Sequence, residues 1–439
     1  MSNLFWQSDN RKVLTLSGAK GDTRRYRSFH LLEQLQFIGA PCVTSHISNR
    51  KLLEELDRSA IVIFHRVSFD KYVERLFEMI RSRGILAIAD VDDLIFDPSA
   101  FEWIDSPDFQ DPFRSALYKE DMRRNRMVLE RCNAAIVSTE FLGRQVRLLG
   151  LPVWTHRNAF SLEMLEISEN VFLKRQINKE KIVIGYASGT PTHDRDFAIV
   201  KPALKYILHN YPQSELHIYG PVDAGRDWGV VENKIKIHKL VPWRELPKFL
   251  VQFNINIAPL VMDNSFGKSK SEIKYVEASL VRVPTIASST EAYEFAIQSG
   301  VNGFLANNEQ EWVEFLSQLV EQEETRQSMG LKAYEDVMNR YHPIRRAKEL
   351  LETLNQIHQQ YKGVSFLPNT PERQAELCSL SNHVSRRGFY IDPIIEQKPT
   401  LFQRGLYSIR YRGILTLVIQ CYIFIRRLLA PWFPFRKNR

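Results

Sequence analysis

Cysteine is scarce in this chain. Cys42, Cys132, Cys378 and Cys421 are its four cysteines in 439 residues, and none sits in a CxxC or Cys/His pattern. That spacing argues against a zinc site and a disulfide framework and fits a reducing cytosol. The first residues, Met1-Ser2-Asn3-Leu4-Phe5-Trp6, lack a basic and an apolar region, so no secretory signal is expected. The turn Gly18-Ala19-Lys20-Gly21 is suited to receive an anion but is not G-x-G-x-x-G, so a nicotinamide cofactor gains no support. Acidic residues are missing from one region altogether. Residues 404–439 hold eight of the 59 Lys and Arg and no Asp or Glu, which leaves the rest of the chain at 51 against 51. The whole net charge of +8 therefore resides in the tail. A neutral body speaks against nucleic acid as a partner.

What is present is a regular alternation. Strands are expected at 11–18, 60–65, 84–90, 134–138 and 152–155, with helices between them near 26–38 and 72–83. A helix-favouring connector near 163–180 follows, and the alternation restarts at 181–187, 215–220, 235–241, 255–259 and 284–288. This predicts an α/β protein built from two tandem Rossmann-like, doubly wound domains. The boundaries expected are 1–165, a connector at 166–180, 181–345, a crossover helix and linker at 346–403, and the tail at 404–439. Ligands of such folds bind at the carboxyl ends of the strands.

The most informative stretch is Ser269-Lys270-Ser271-Glu272-Ile273-Lys274-Tyr275-Val276-Glu277. Ser269 and Glu272 have capping-box spacing, which predicts a helix beginning there. Lys268, Lys270 and Lys274 crowd that start, where each cation costs roughly 0.3–1 kcal/mol. A bound phosphate reverses the sign, because N–H groups and ammoniums then converge on it. Glu277, one turn on, is placed to accept hydrogen bonds from a hydroxylated ligand. Together these suggest a nucleotide or nucleotide-sugar. Lysines on a helix start can equally be solvated.

The segment from Phe266 to Ala278, with Val283-Pro284-Thr285-Ile286-Ala287 and Gly300-Val301-Asn302-Gly303-Phe304-Leu305, resembles the retaining group-1 (family 4) branch of the GT-B fold glycosyltransferases. Arg157-Asn158-Ala159-Phe160 resembles the turn where such chains leave the N-terminal domain. The resemblance implies a hexosyltransferase-type enzyme that takes a nucleotide-diphosphate-sugar as substrate, with no cofactor and no metal, and retains configuration. Glu277 matches the ribose-binding glutamate, the Lys268–Lys274 turn the diphosphate segment, and Gly185, Ser188, Gly189 and Thr190 the first loop of the donor domain. Two departures stand out. Ser269 occupies the position of the family glutamate that contacts the sugar. The basic residues of the first loop are missing; Arg195, beside His193 and Asp196, is either a substitute or part of a plain cap and salt bridge with the Asp. On this reading Lys274, Glu277 and His65 are the catalytic candidates. A catalytically silent scaffold in a polysaccharide-assembly complex and a sugar-nucleotide epimerase are the alternatives.

Asp90, Asp92 and Asp93 follow a strand in a D-x-D pattern. Carboxylates so spaced can hold a divalent cation, line the acceptor side, or cap a helix. Gly18 and Asn158 are further acceptor-side candidates, and His65 is either a group that orients an acceptor hydroxyl or the sugar or a satisfied strand-end histidine. In the tail, the 13 uncharged residues from 413 to 425 make a helix of about 20 Å, short of the roughly 30 Å hydrocarbon core. Arginines and aromatics surround them. An interfacial helix on an anionic membrane surface is expected, against a helix packed on the body or a tilted span. A membrane-lying enzyme on the cytoplasmic side implies a glycan or lipid-linked glycan acceptor.

Overall fold

The computed structural model describes residues 11–19, 21–176, 180–363, 405–406 and 408–429. The linker expected over most of 364–403 lies outside them. Two lobes are present, each a six-stranded parallel sheet. The N-terminal sheet comprises β1 Lys12–Ser17, β2 Cys42–His46, β3 Ser59–His65, β4 Leu86–Val91, β5 Ala134–Val137 and β6 Val153–Thr155, in the order β2-β1-β3-β4-β5-β6. The C-terminal sheet comprises β7 Ile182–Ala187, β8 Ser214–Tyr219, β9 Ile235–His238, β10 Ile255–Ala258, β11 Thr285–Ser288 and β12 Phe304–Ala306, in the order β12-β11-β10-β7-β8-β9. Helices cover both faces, so the interior strands β4, β5, β10 and β11 are buried at every residue. The fold class expected from the sequence is the one observed.

Two strands escaped the sequence reading. Both β2 and β12 are edge strands. Polar residues in β2 and the brevity of β12 leave little apolar signal, because an edge strand need not be buried on both faces.

The chain crosses back after the second lobe. Helix Pro343–Lys362 starts with Pro343 in its first turn and ends at Gly363, whose φ of 73° suits a left-handed cap. Ile344, Ala347, Leu350, Leu351, Leu354 and Ile357 form a stripe buried against Leu31, Leu35 and Ile61 of the first lobe. This ties the end of the second lobe to one face of the N-terminal sheet.

One local expectation fails. Residues 269–280 are not a single helix opened by a capping box. A short helix, Ser265–Lys268, is capped by Asn264, and Ser269 is its C-cap. A second helix, Ile273–Ser279, starts at Glu272, whose side chain makes no cap. Instead Glu272 is buried, accepts from Tyr341 Oη at 2.9 Å and lies 3.5 Å from Arg157. A tertiary ion pair has taken the carboxylate the local motif would use.

In the tail, helix Ile414–Leu429 follows a π-helical turn, Ser408–Arg412. Among the described residues, no helix is long and apolar enough to cross a membrane.

Candidate active site between the lobes

The carboxyl ends of both sheets face a cavity of about 370 Å³ lined by each lobe. Three groups of side chains define it.

The first group bridges the lobes at the end of β4. Arg66 has φ 49°, a left-handed conformation unusual for a side chain of its size. This turns its guanidinium onto Asp92, with Nε 2.7 Å from Oδ1 and Nη2 3.0 Å from Oδ2. Asp93 then accepts from Lys270 Nζ at 2.9 Å, across the cleft, and Ser269 Oγ lies 3.1 Å from its other oxygen. Burial alone would raise both carboxyls, but the cations win. Arg66 and then His65 hold Asp92 well below the usual carboxylate range, and Lys270 and Arg66 hold Asp93 low.

The second group surrounds Glu277. Tyr26 Oη donates to Glu277 Oε1 at 2.5 Å, and Arg25 Nη2 lies 3.6 Å from the same oxygen. The Arg25 guanidinium sits between the Tyr26 and Trp243 rings, 4.2 and 4.7 Å from their centroids. Arg25 and Tyr26 come from a π-helical stretch, Arg25–Phe29, a distortion often found at functional sites. Lys274 Nζ donates to Ala187 O at 2.8 Å. Burial lowers the Lys274 pKa, with Glu277 and Asp196 opposing.

The third group is the loop after β7. Ser188, Gly189, Thr190, Thr192 and His193 all line the cavity. Gly220, at φ 107°, lets β8 approach that loop, since a Cβ there would lie 1.8 Å from Ser188 O. His193 Nδ1 is 2.7 Å from Asp196 Oδ2, and Asp196 Oδ1 accepts the Val261 N–H at 2.8 Å. That second bond fixes the carboxylate, and the carboxylate fixes the ring. Burial lowers the His193 pKa; the Asp196 bond opposes, and Lys274 and Lys270 lower it further.

The structure gathers Ser188, Gly189, Thr190, Lys270, Lys274 and Glu277 on one wall, facing Asp92, Asp93 and Asn158. Asn158 Nδ2 donates to Ser271 Oγ at 3.0 Å, tying the inter-lobe turn to the donor-side segment. Other candidates lie elsewhere. Lys268 is exposed and Arg195 is largely so, 3.9 Å from Asp105; neither lines the cavity. The loop's missing basic residues are thus not replaced by Arg195. Gly185 lies within β7, where a Cβ would fall 2.0 Å from the Phe253 ring, so it serves packing. Gly18 is likewise a close approach: a Cβ would be 2.3 Å from Arg66 O. Asp90 is wholly buried against Arg27, at 2.8 Å from Nε, beneath the cavity. His65 is also buried behind the wall. The register that sets Ser17 beside His65 puts Ser17 Oγ 3.0 Å from Nδ1, and Nε2 lies 3.4 Å from Asp92 Oδ1. It positions Asp92 rather than facing a ligand. Asp90 and Asp92 each face an arginine, and among the described residues no cluster of His, Cys, Asp and Glu could hold a metal ion.

Sequence reasoning missed Arg25, Tyr26, Tyr118 and Trp243. Only the tertiary fold brings these four to one cavity.

Residues 198–352 match the profile of a family described as glycosyl transferase-like. Solved structures share the fold at low identity. HepE of Anabaena, in complex with UDP, is 14% identical, with 79% of this chain and 100% of that chain covered and a TM-score of 0.53. Sucrose-phosphate synthase from Thermosynechococcus elongatus is 12% identical, covering 80% and 100%, with a TM-score of 0.53. A glycosyltransferase from Rickettsia africae is 11% identical, covering 79% and 99%, at 0.50. No curated protein matches the chain by sequence. The shared fold is the two-lobed GT-B fold.

Proposed function

We propose that this chain, whose residues 198–352 match the glycosyl transferase-like profile, transfers a sugar from a nucleotide-diphosphate-sugar to a glycan or lipid-linked glycan acceptor, with retention of configuration and without a metal. The observation that carries this is the convergence of Lys270, Lys274, Glu277 and the 188–193 loop on one inter-lobe cavity. HepE has been solved with UDP and with UDP-glucose, which makes uridine nucleotides the first donors to test.

Cleavage of the anomeric bond leaves negative charge on the diphosphate. Lys270 and Lys274 are fixed cations in a partly desolvated site, and such groups act most strongly where charge develops. Lys270 would exchange Asp93 for phosphate oxygens, and Glu277 would exchange Tyr26 for ribose hydroxyls. Tyr219, Leu240, Val241 and Trp243 offer an apolar wall for the base. The Arg66–Asp92–His65 chain holds the opposite wall, where the acceptor would lie.

A second reading rests on Ser269. It stands where the resemblance places a sugar-contacting glutamate, is fully buried, and donates to Phe266 O at 2.7 Å. A silent scaffold would bind donor without turning it over. Incubating the protein with UDP-glucose and measuring UDP release, with Glu277→Ala as control, separates the two. Release above that control supports transfer chemistry, and tight binding with no release on any donor and acceptor offered supports the scaffold.

A further inference from the structure

We infer that the tail helix docks the N-terminal lobe onto an anionic lipid surface, close to the mouth of the cleft. Ile414, Leu415, Val418 and Ile425 are each 54% exposed or more, up to 71% for Leu415. At 100° per residue these four fall within one face of helix Ile414–Leu429. Soluble surfaces rarely carry such a stripe without an occupant.

Charge names the occupant. The tail carries Arg404, Arg410, Arg412, Arg426, Arg427, Arg436, Lys437 and Arg439 and no acid. An apolar stripe within a purely cationic segment suits an interface of acyl chains and anionic headgroups.

The structure adds where the helix sits. Arg412 Nε is 3.3 Å from Asp70 Oδ2, and Asp70 also caps helix Lys71–Ser82 through the Tyr72 and Val73 N–H groups. The Tyr422 ring meets Phe113 edge-on at 5.6 Å between centroids. Phe113 belongs to helix Pro112–Leu129, whose Tyr118 lines the inter-lobe cavity. Five residues separate them, about 8 Å of helix rise. The tail helix thus rests on the same helix that lines the cavity. On the transfer reading above, an acceptor held in the bilayer would reach the cleft from its N-terminal rim.

The test is sedimentation of the full chain with vesicles, without donor, so that its failure is separate from failure of the transfer reading. The wild type is expected to pellet with mixed phosphatidylcholine–phosphatidylglycerol vesicles, weakly with phosphatidylcholine alone, and less as salt rises. Leu415→Glu with Val418→Glu, both at exposed positions, is expected to weaken binding roughly a hundredfold. Arg426→Gln with Arg427→Gln should weaken it roughly tenfold or more on the mixed vesicles only. UDP affinity should be unchanged in both variants. Equal pelleting of the Glu variant, or no pelleting of the wild type, overturns the inference. So does a concentration-dependent dimer in light scattering that the Glu substitutions dissolve, since the stripe would then be covered by a second copy.

Discussion

Lys270 Nζ of the C-terminal lobe lies 2.9 Å from Asp93 Oδ2 of the N-terminal lobe, across the mouth of the cleft. A diphosphate bound to Lys270 must compete with that carboxylate. Asp93→Asn should therefore tighten UDP binding, by up to about 1 kcal/mol or roughly fivefold, while uridine affinity stays constant. Titration calorimetry with both ligands checks this. Weaker UDP binding would mean that Asp93 positions the lysine rather than opposing the phosphate.

Lys274 makes the complementary case. Truncation to alanine removes a charged donor worth about 1.5–3 kcal/mol. UDP affinity should fall by roughly ten- to a hundredfold and uridine affinity little. Matching losses for the two ligands would reassign Lys274 to holding the Ala187 carbonyl and the loop after β7.

His193 supplies a pH signature. Burial keeps its pKa below the usual value, so the free imidazole is neutral at pH 7. A bound diphosphate adds negative charge and raises that pKa. Binding then takes up a proton, and the gain is complete below the free-state pKa and lost as pH rises through the bound-state value. UDP affinity should thus weaken from mildly acidic to alkaline pH more in the wild type than in His193→Gln. The variant corrects for titration of the phosphate itself. Parallel profiles would exclude a protonated His193 at the diphosphate.

Glu33 affects stability rather than binding. Burial pushes its carboxyl up to about 8, although it accepts the Leu162 N–H at 3.1 Å. The folded chain holds this proton where the unfolded chain, at 4.5, has released it. Stability is then full below the unfolded value and declines as pH rises towards 8. In thermal unfolding, Glu33→Gln should stabilise the fold more at pH 8.5 than at pH 5, the difference being roughly a few kcal/mol at most. A pH-independent difference would place the group's ionisation outside the folding equilibrium.

Gly185 tests packing against ligand contact. Gly185→Ala drives a methyl into the Phe253 ring and should cost about 1–3 kcal/mol in thermal unfolding. Lost UDP binding with an unchanged melting temperature would return this glycine to the phosphate loop.

The sequence alone determined the alternation of buried strands and helices, because parallel strands covered on both faces must be continuous apolar runs. It also marked Lys270, Lys274 and Glu277, whose close spacing in the chain keeps them together in any fold. It could not place what depends on distant segments. Asp90 and Asp92 look alike as text, yet Asp90 lies inside β4 and Asp92 just past its end, so Asp90 meets Arg27 in the core and Asp92 meets Arg66 at the cleft. Ser269 and Glu272 have the spacing of a cap, but Arg157 and Tyr341 claim the glutamate. Tyr26 meets Glu277 over 251 residues of chain, a distance at which no local pattern carries information and only packing of the two lobes decides.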